Sequence, residues 1–559
     1  MALKEKYTKE KINGAVFTPP DLASFLSSRL HYYLKTFKKS DLVIWDPACG
    51  DGNLIQAALE KFSIPNVSIF GTESNVKSLD IAKERFKNFK NIKIIDEDFL
   101  QYYSNHFGES SLFNNFKTNI LNPNGIIANP PYVRTQVMGS NAAQELAKQF
   151  SLAGRVDLYF AFLIGMVKFL QDDGILVVIT SNRFLYTRSG ESIRRFLSSN
   201  LEILELYDLG DTKFFKAAVL PAILVARKTS KIDKSKIFLF SKIYETVSQN
   251  SPKTSVNKKE ELLQIAADGF NGVVIFEEKT YKIDNARMTL SKLTSEPWSL
   301  ENPESPNILL KKGSFSIKNF FKVKVGIKTT ADKVFIRSNW DDLELKPEQI
   351  LLHSLISSSD IQKWFLPSKK TERQILYPYK FESKRKPIDI SNYPHSEKYL
   401  SDHRLQLESR KYLIEAGREW FEIWVPHNPL DWKYPKIVFP DISCSPNFMY
   451  DNDGFLVNGN CYWISAKTDE EIKLLYLIMG VANSKFMEHY YDNHFGNKLY
   501  SGKRRFLTQY VEKFPIPDPD SSLALNIMKT VENHIIQKST KVLEFSDELF
   551  DYFKLSNKN

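Results

Sequence analysis

Cysteine is scarce in this sequence: three residues in 559, Cys49, Cys444 and Cys461, scattered along the chain. So few, so far apart, exclude a disulfide framework and a cysteine-built zinc site. No run of eighteen apolar residues occurs, which excludes a helix spanning a bilayer. Met1 to Lys11 is lysine-rich but has no apolar stretch, so it does not read as a secretory signal. These absences lead us to expect a soluble chain in a reducing, cytoplasmic setting with no membrane partner. Internal repeats and long low-complexity tracts are missing too, which excludes a solenoid.

What is present has an ordinary globular balance, 42% hydrophobic and 25% charged, and is long enough for two or more packed units. Lys and Arg outnumber Asp and Glu by 76 to 66, a modest hint of a polyanionic partner. From residue 12 to about 228, short apolar strands alternate with amphipathic helices. Asp41–Trp45, Val67–Gly71, Ile92–Ile95, Gly125–Ala128, Gly174–Thr180, Glu202–Asp208 and Leu220–Ala226 read as strands, with Asn53–Phe62 and Ser78–Phe86 among the helices. This alternation predicts an α/β fold with a doubly wound, mostly parallel sheet whose ligands sit beyond the carboxyl ends of the strands. Residues 229–262 are polar and read as a bridge. From about 290 the rhythm becomes mixed α+β, closed by helices near 470–485 and 520–553. We therefore expect a catalytic domain over 1–250 and a second domain over 251–559.

The residues that follow each strand carry the chemistry. The first strand ends in Asp46-Pro47-Ala48-Cys49-Gly50-Asp51-Gly52-Asn53. Two glycines there let the backbone pass close to a ligand. The turn lacks the Gly-Lys-Ser/Thr ending of a phosphate loop. Its acids, Asp46 and Asp51, would repel a phosphate but suit the cationic sulfonium and ammonium of S-adenosylmethionine. The second strand ends in Glu73, about where a dinucleotide fold places an acid for ribose hydroxyls. The third ends in Asp98-Phe99, an acceptor for an adenine amino group beside a ring to cover its face.

The fourth strand leads into Asn129-Pro130-Pro131-Tyr132. An adenine N6 amine is a poor nucleophile because its lone pair is conjugated with the ring. The Asn129 amide oxygen and the Pro130 carbonyl can accept its two N–H groups and stabilise developing positive charge. Pro130 and Pro131 fix the backbone direction, and Tyr132 offers a flat face to an extruded base. The same tetrapeptide would serve any planar amide or amine nitrogen.

Taken in order, these motifs resemble the gamma-class (TaqI-like) N6-adenine DNA methyltransferases of restriction–modification systems. The resemblance covers residues 14 to 228 and, more loosely, the remainder. It implies a Rossmann-like S-adenosylmethionine-dependent domain followed by a mixed α+β DNA-recognition domain, with no metal. It implies cofactor contacts from Thr18 in Gly14–Pro20, from Asp46, Pro47, Ala48, Cys49 and Gly50, and from Glu73, Asp98, Phe99 and Asn129. Leu158–Phe162 matches a segment whose Phe162 would pack on the cofactor adenine. Leu209–Val225 matches the motif whose aromatic sandwiches the flipped adenine, with Phe215 the best fit and Phe214 next. The implied partner is duplex DNA, bound by a monomer in a bacterial or archaeal cytoplasm, with a cognate restriction endonuclease acting separately.

Other readings fit these residues less well. A cytosine-C5 methyltransferase needs a Pro-Cys nucleophile, and the three cysteines follow Ala, Ser and Asn. Methylation of RNA, or of a protein glutamine at N5, would use the same chemistry, although glutamine enzymes leave some 300 residues unexplained. A non-catalytic DNA-binding restriction subunit would be expected to carry a damaged motif, and both motifs are intact. Glu277-Glu278-Lys279, with Asp268 upstream, has the look of a nuclease metal site and reads better as a charged strand end. The stretch Val133–Gly154 is expected to close over the substrate. In the second half, Trp420, Trp424 and Trp432 with Arg410, Arg418, Lys433 and Lys436 form an aromatic and basic concentration, readable as core or as a nucleic-acid surface.

Overall fold

The computed structural model describes residues 17–35, 41–62, 67–107, 122–132, 140–152, 157–210, 212, 220–246, 254–293, 295, 297–298, 315–366, 371–381, 385–495 and 503–553. They form two compact units that divide near residue 303.

In the first unit, β1 (Leu42–Asp46), β2 (Val67–Glu73), β3 (Ile92–Asp96), β4 (Gly125–Ala128) and β5 (Ile175–Ser181) run parallel in the order β3-β2-β1-β4-β5. β4 and β5 are buried throughout, as strands covered on both faces must be. Beyond β5 the sheet continues through β6 (Leu201–Asp208) and β7 (Pro221–Lys228) in the order β5-β7-β6, with β7 antiparallel to both neighbours. The helices include α1 (Pro20–Leu34), α2 (Asn53–Lys61), α3 (Val76–Phe86), α4 (Phe99–Phe107), α5 (Ser140–Gln149) and α6 (Leu158–Phe169). α6 is apolar almost all round, and ten of its twelve residues are buried, as for a helix enclosed in the core.

The strand order reverses between β1 and β4, which pair directly, Trp45 opposite Ile126. Above the carboxyl ends at such a reversal a crevice opens, and ligands bind there. Asp46 ends β1 and Asn129 follows β4, so the topology alone sets these two segments side by side.

The boundary expected at residue 250 falls inside this unit. β8 (Ile237–Glu245), β9 (Thr254–Ser255), β10 (Gly272–Phe276) and β11 (Lys279–Thr289) prolong the same sheet in the order β6-β8-β11-β10-β9. These strands mix exposed and buried residues, so their sequence carries no long apolar run to mark them. Glu277 and Glu278 form the tip of the β10–β11 hairpin, where Phe276 pairs with Lys279. Both adopt left-handed backbone (φ 47° and 62°), as a tight two-residue hairpin turn requires. The Glu-Glu-Lys motif is thus a turn, in line with its reading as a strand end.

One buried ionic cluster ties α1 to the sheet. Arg29 makes a two-pronged contact with Glu205 of β6, and Tyr33 and Tyr207 donate hydroxyls to the same carboxylate at 2.7 and 2.8 Å. Arg29 also lies 4.7 Å from the centre of the Tyr32 ring. Removing the guanidinium would leave a buried carboxylate without its counter-charge. Arg29→Ala is therefore expected to cost about 3–5 kcal/mol, read from the denaturant midpoint. A loss below about 1 kcal/mol, the range of an exposed pair, would contradict this.

The second unit is built on two small mixed sheets. One orders its strands Lys324–Val325, Cys461–Ser465, Lys436–Pro440, Met449–Asp451, Trp364–Phe365, and the other Ile336–Arg337, Arg373–Leu376, Leu352–Ile356, Leu456–Val457. Asp469–Ala482 is the expected helix near 470–485, while the span 520–553 is two helices, Ser522–Ile536 and Ser546–Phe553. Asp469–Ala482 and Ser522–Ile536 approach so closely that a Cβ on Gly480 would lie 2.3 Å from Ile527. Among the described residues, no helix is long and apolar enough to cross a membrane.

Candidate active site

The chain leaving β1 folds back tightly on itself. The Cys49 amide donates to the Thr72 carbonyl at 3.0 Å and the Gly52 amide to the Cys49 carbonyl at 2.8 Å. Gly50 and Gly52 take φ of +56° and +86°, left-handed values that suit glycine. At Gly52 a Cβ would also lie 2.5 Å from the Phe86 ring. Glu73 braces the turn, accepting from the Gly50 amide at 2.8 Å and the Asn75 amide at 2.7 Å. Each carboxylate oxygen can accept a second bond, which leaves capacity for ribose hydroxyls.

Asp46 lies at the base of the turn, 1% exposed. One oxygen accepts from the Ala48 amide at 3.1 Å, and the other is buried with no hydrogen-bond partner. Burial pushes its carboxyl up to about 8, opposed by the Ala48 amide and reinforced by the charges of Glu73 and Asp51. A buried, unpaired acid ringed by further acids suits a cationic ligand group. The neighbouring Cys49 is buried, and burial raises its thiol, which keeps it inert.

Across the crevice, Asn129 is held at both ends of its amide. Its Nδ2 donates to Thr18 Oγ1 at 3.0 Å, and its Oδ1 accepts from the Tyr132 hydroxyl at 2.6 Å. That hydroxyl also lies 3.4 Å from the Ile179 carbonyl of β5. Thr18 is 5% exposed, and its own carbonyl accepts from Asn53 Nδ2 at 3.2 Å. Thr18, expected on the cofactor, thus has its hydroxyl on Asn129. Tyr132 keeps a half-buried ring, but its polar end points inward.

The structure places the other expected residues as follows. Asp98 is exposed and caps α4, accepting from the Gln101 amide at 2.9 Å. Phe99 and Phe162 do not stand apart with faces toward an open site. They stack on one another, ring centres 4.8 Å apart and 26° from parallel, and are 2% and 6% exposed. Gly165 in α6 allows this, since any Cβ there would lie 2.8 Å from the Phe99 ring. Phe214 and Phe215 lie outside the described residues, as do residues 133–139 and 153–154 of the Val133–Gly154 stretch, whose Ser140–Gln149 portion is α5. Two residues were missed. Phe17 is 51% exposed and packs on Gly50, 3.6 Å from where a Cβ would sit. Asn53 links Thr18 to Arg85, which donates to its Oδ1 at 2.9 Å. Their only sequence signal was adjacency to motif residues.

In the second unit the aromatic and basic group divides. Trp432 is fully buried and stacked on Trp463 at 4.7 Å. Lys436 is buried and paired with Asp451 at 2.7 Å. Arg410 donates to the carbonyls of Thr329, Leu407, Trp420 and Glu422. Lys433 is exposed, with its ammonium 5.4 Å from the Tyr434 ring centre, and Trp420 is half-buried beneath Arg404 at 4.8 Å. Trp424 and Arg418 instead line a cavity of about 530 Å³ with Arg385, His427 and Asn428. Arg385 and His427 both hold left-handed backbone (φ 43° and 64°), uncommon for such residues.

A parallel sheet with β7 inserted antiparallel, and a glycine turn beside an acid at its reversal, is the Rossmann-like architecture of a methyltransferase domain. Residues 24–215 match the Eco57I restriction-modification methylase model, and residues 374–516 the TaqI-like C-terminal specificity domain. Over 556 residues the chain is 40% identical to the Type II methyltransferase M.BanIII of Aneurinibacillus aneurinilyticus, covering 96% of this chain and 95% of that one. The Type II methyltransferase M.BstVI of Geobacillus stearothermophilus is 22% identical, with 97% of each chain covered. The cryo-EM structure of a DrdV–DNA complex superposes with a TM-score of 0.53 at 13% identity, a likeness of fold covering 94% of this chain and 57% of that longer one. The chain belongs to the Type II methyltransferases of restriction–modification systems.

Proposed function

We propose that this DNA methyltransferase is adenine-specific, methylating N6 of an extruded adenine within a particular duplex sequence. The observation that carries this is the placing of Asn129-Pro130-Pro131-Tyr132 next to the acid-lined glycine turn, across the β1–β4 reversal. The turn fits S-adenosylmethionine because the unpartnered Asp46 carboxyl, once ionised, would meet a cation with opposite charge. When bound there, that cofactor supplies an electrophilic methyl group on sulfonium. Asp46 and Glu73 would hold the cationic and ribose groups. Asn129 Oδ1 and the Pro130 carbonyl would orient the adenine amine and offset its developing charge. The Tyr132 ring would support the base, with an aromatic of the 209–225 segment, Phe215 or Phe214, on its other face. A soluble, cytoplasmic enzyme acting as a monomer, with a separate cognate nuclease, completes this reading.

Asn129→Ala is expected to lower kcat for methyl transfer to duplex DNA by about 100-fold or more, the usual loss for one preorganised polar group. Normal turnover in that variant would overturn the reading.

The raised Asp46 value gives a pH signature. Below about 8 the free site holds a proton on Asp46, and a bound cation favours the carboxylate. Cofactor affinity should rise between about pH 6 and pH 8, with proton release on binding, and Asp46→Asn should remove that component. Calorimetry in two buffers of unlike ionisation heat reads the proton directly, and identical proton release in Asp46→Asn would contradict the assignment. In the free protein the sign is opposite. The unfolded chain loses this proton near pH 4 and the folded one near 8, so stability falls across that window as pH rises.

The Arg385–Trp424 cavity lies in the segment matching the specificity domain, and its cation and aromatic wall would suit a DNA base. Arg385→Ala is expected to relax discrimination at one base pair by about 1–3 kcal/mol, measured by sequencing methylated sites. A uniform loss across all sites would instead make Arg385 a phosphate contact.

A further inference from the structure

We propose that the hydroxyls of Thr18 and Tyr132 are positioning groups that fix which end of the Asn129 amide faces the substrate amine. This rests on the reading of Asn129 as the acceptor for that amine. A carboxamide has an oxygen and an NH2 of nearly equal size, and only the oxygen accepts an N–H. Turned by half a revolution, Asn129 would meet an amine donor with a donor of its own.

Two hydrogen bonds favour one orientation, and their lengths differ in kind. Asn129 Nδ2 to Thr18 Oγ1 is 3.0 Å, ordinary for N–H···O. Tyr132 Oη to Asn129 Oδ1 is 2.6 Å, inside the O–H···O range and short of the N–H···O range. Exchanging the amide ends would press an NH2 into the shorter contact and oblige both hydroxyls to reverse roles. Burial raises the Tyr132 phenol, so it stays protonated and able to donate. An amide oxygen accepts two bonds, so the tyrosine and an amine can share it.

Both hydroxyls are anchored from elsewhere. Thr18 is buried, tethered through its carbonyl to Asn53, and followed directly by α1, which Arg29 and Glu205 pin to β6. Tyr132 follows two prolines, and the Ile179 carbonyl, 3.4 Å away, is too far to compete with the 2.6 Å contact for its one proton. Tyr132 thus has two separable parts, a ring that phenylalanine could replace and a hydroxyl that it could not.

The test is single-turnover and steady-state methyl transfer to unmethylated genomic duplex DNA by Y132F, T18V, T18S and N129A, each with its melting temperature. Y132F and T18V should each slow kcat about fivefold to tenfold, the worth of one hydrogen bond, with KM for DNA and cofactor affinity within about twofold. T18S should restore the parental rate. Parental kcat in Y132F beside an inactive N129A would overturn the positioning role and leave the Asn129 reading standing. An active N129A would overturn that reading itself. A T18V defect confined to cofactor affinity would return Thr18 to the cofactor and overturn its part here.

Discussion

A carboxyl group buried without a counter-charge is costly, and the end of β1 keeps Asp46 in that condition. Much of the first unit can be read as the means of keeping it there. The parallel strands deliver it to the bottom of the crevice, and left-handed glycines fold the chain back over it. Glu73 ties the turn through the Gly50 amide and adds negative potential instead of relieving it. A structure that only had to be stable would place an apolar residue at that point. The unpaired carboxyl makes sense as a waiting place for a cation, which would favour its ionised form.

The opposite wall depends on a longer chain of support. Arg29 and Glu205 lock α1 against β6, α1 fixes Thr18, and Thr18 holds Asn129. From the other side the two prolines hold Tyr132, which bonds the remaining end of the same amide. Side chains from just before α1 and from the turn after β4 therefore meet at one amide group. Preorganisation of this kind is what a weak nucleophile requires, since the acceptor need not move as charge develops.

The parallel core was legible because strands covered on both faces must be continuously apolar, and each expected strand from Leu42 to Lys228 is present. Its strand ends were legible because a doubly wound sheet places ligands there. The edge strands Ile237–Thr289 were not, since half-exposed strands dilute their apolar residues with Lys, Ser and Asn, and they read as a polar bridge. Side-chain direction was beyond the motif as well. An aromatic after an acid at a strand end suits a ring-covering role, yet Phe99 turns inward because Gly165 leaves room for it. Nothing in the spacing of Asn129 and Tyr132 showed that the tyrosine hydroxyl would return to the asparagine. In the second unit, tryptophan and arginine counts could not separate core from surface. Trp432, Arg410 and Lys436 are structural, whereas Trp424, Arg418 and Arg385 line a cavity.

The most direct measurement of adenine specificity is the chemical identity of the product. Purified protein, S-adenosylmethionine labelled in its methyl group and duplex DNA are incubated together, and the DNA is digested to nucleosides and resolved. Label confined to N6-methyl-2′-deoxyadenosine is the expected result. Label in a cytosine nucleoside, or transfer to RNA or protein with none to DNA, would contradict it.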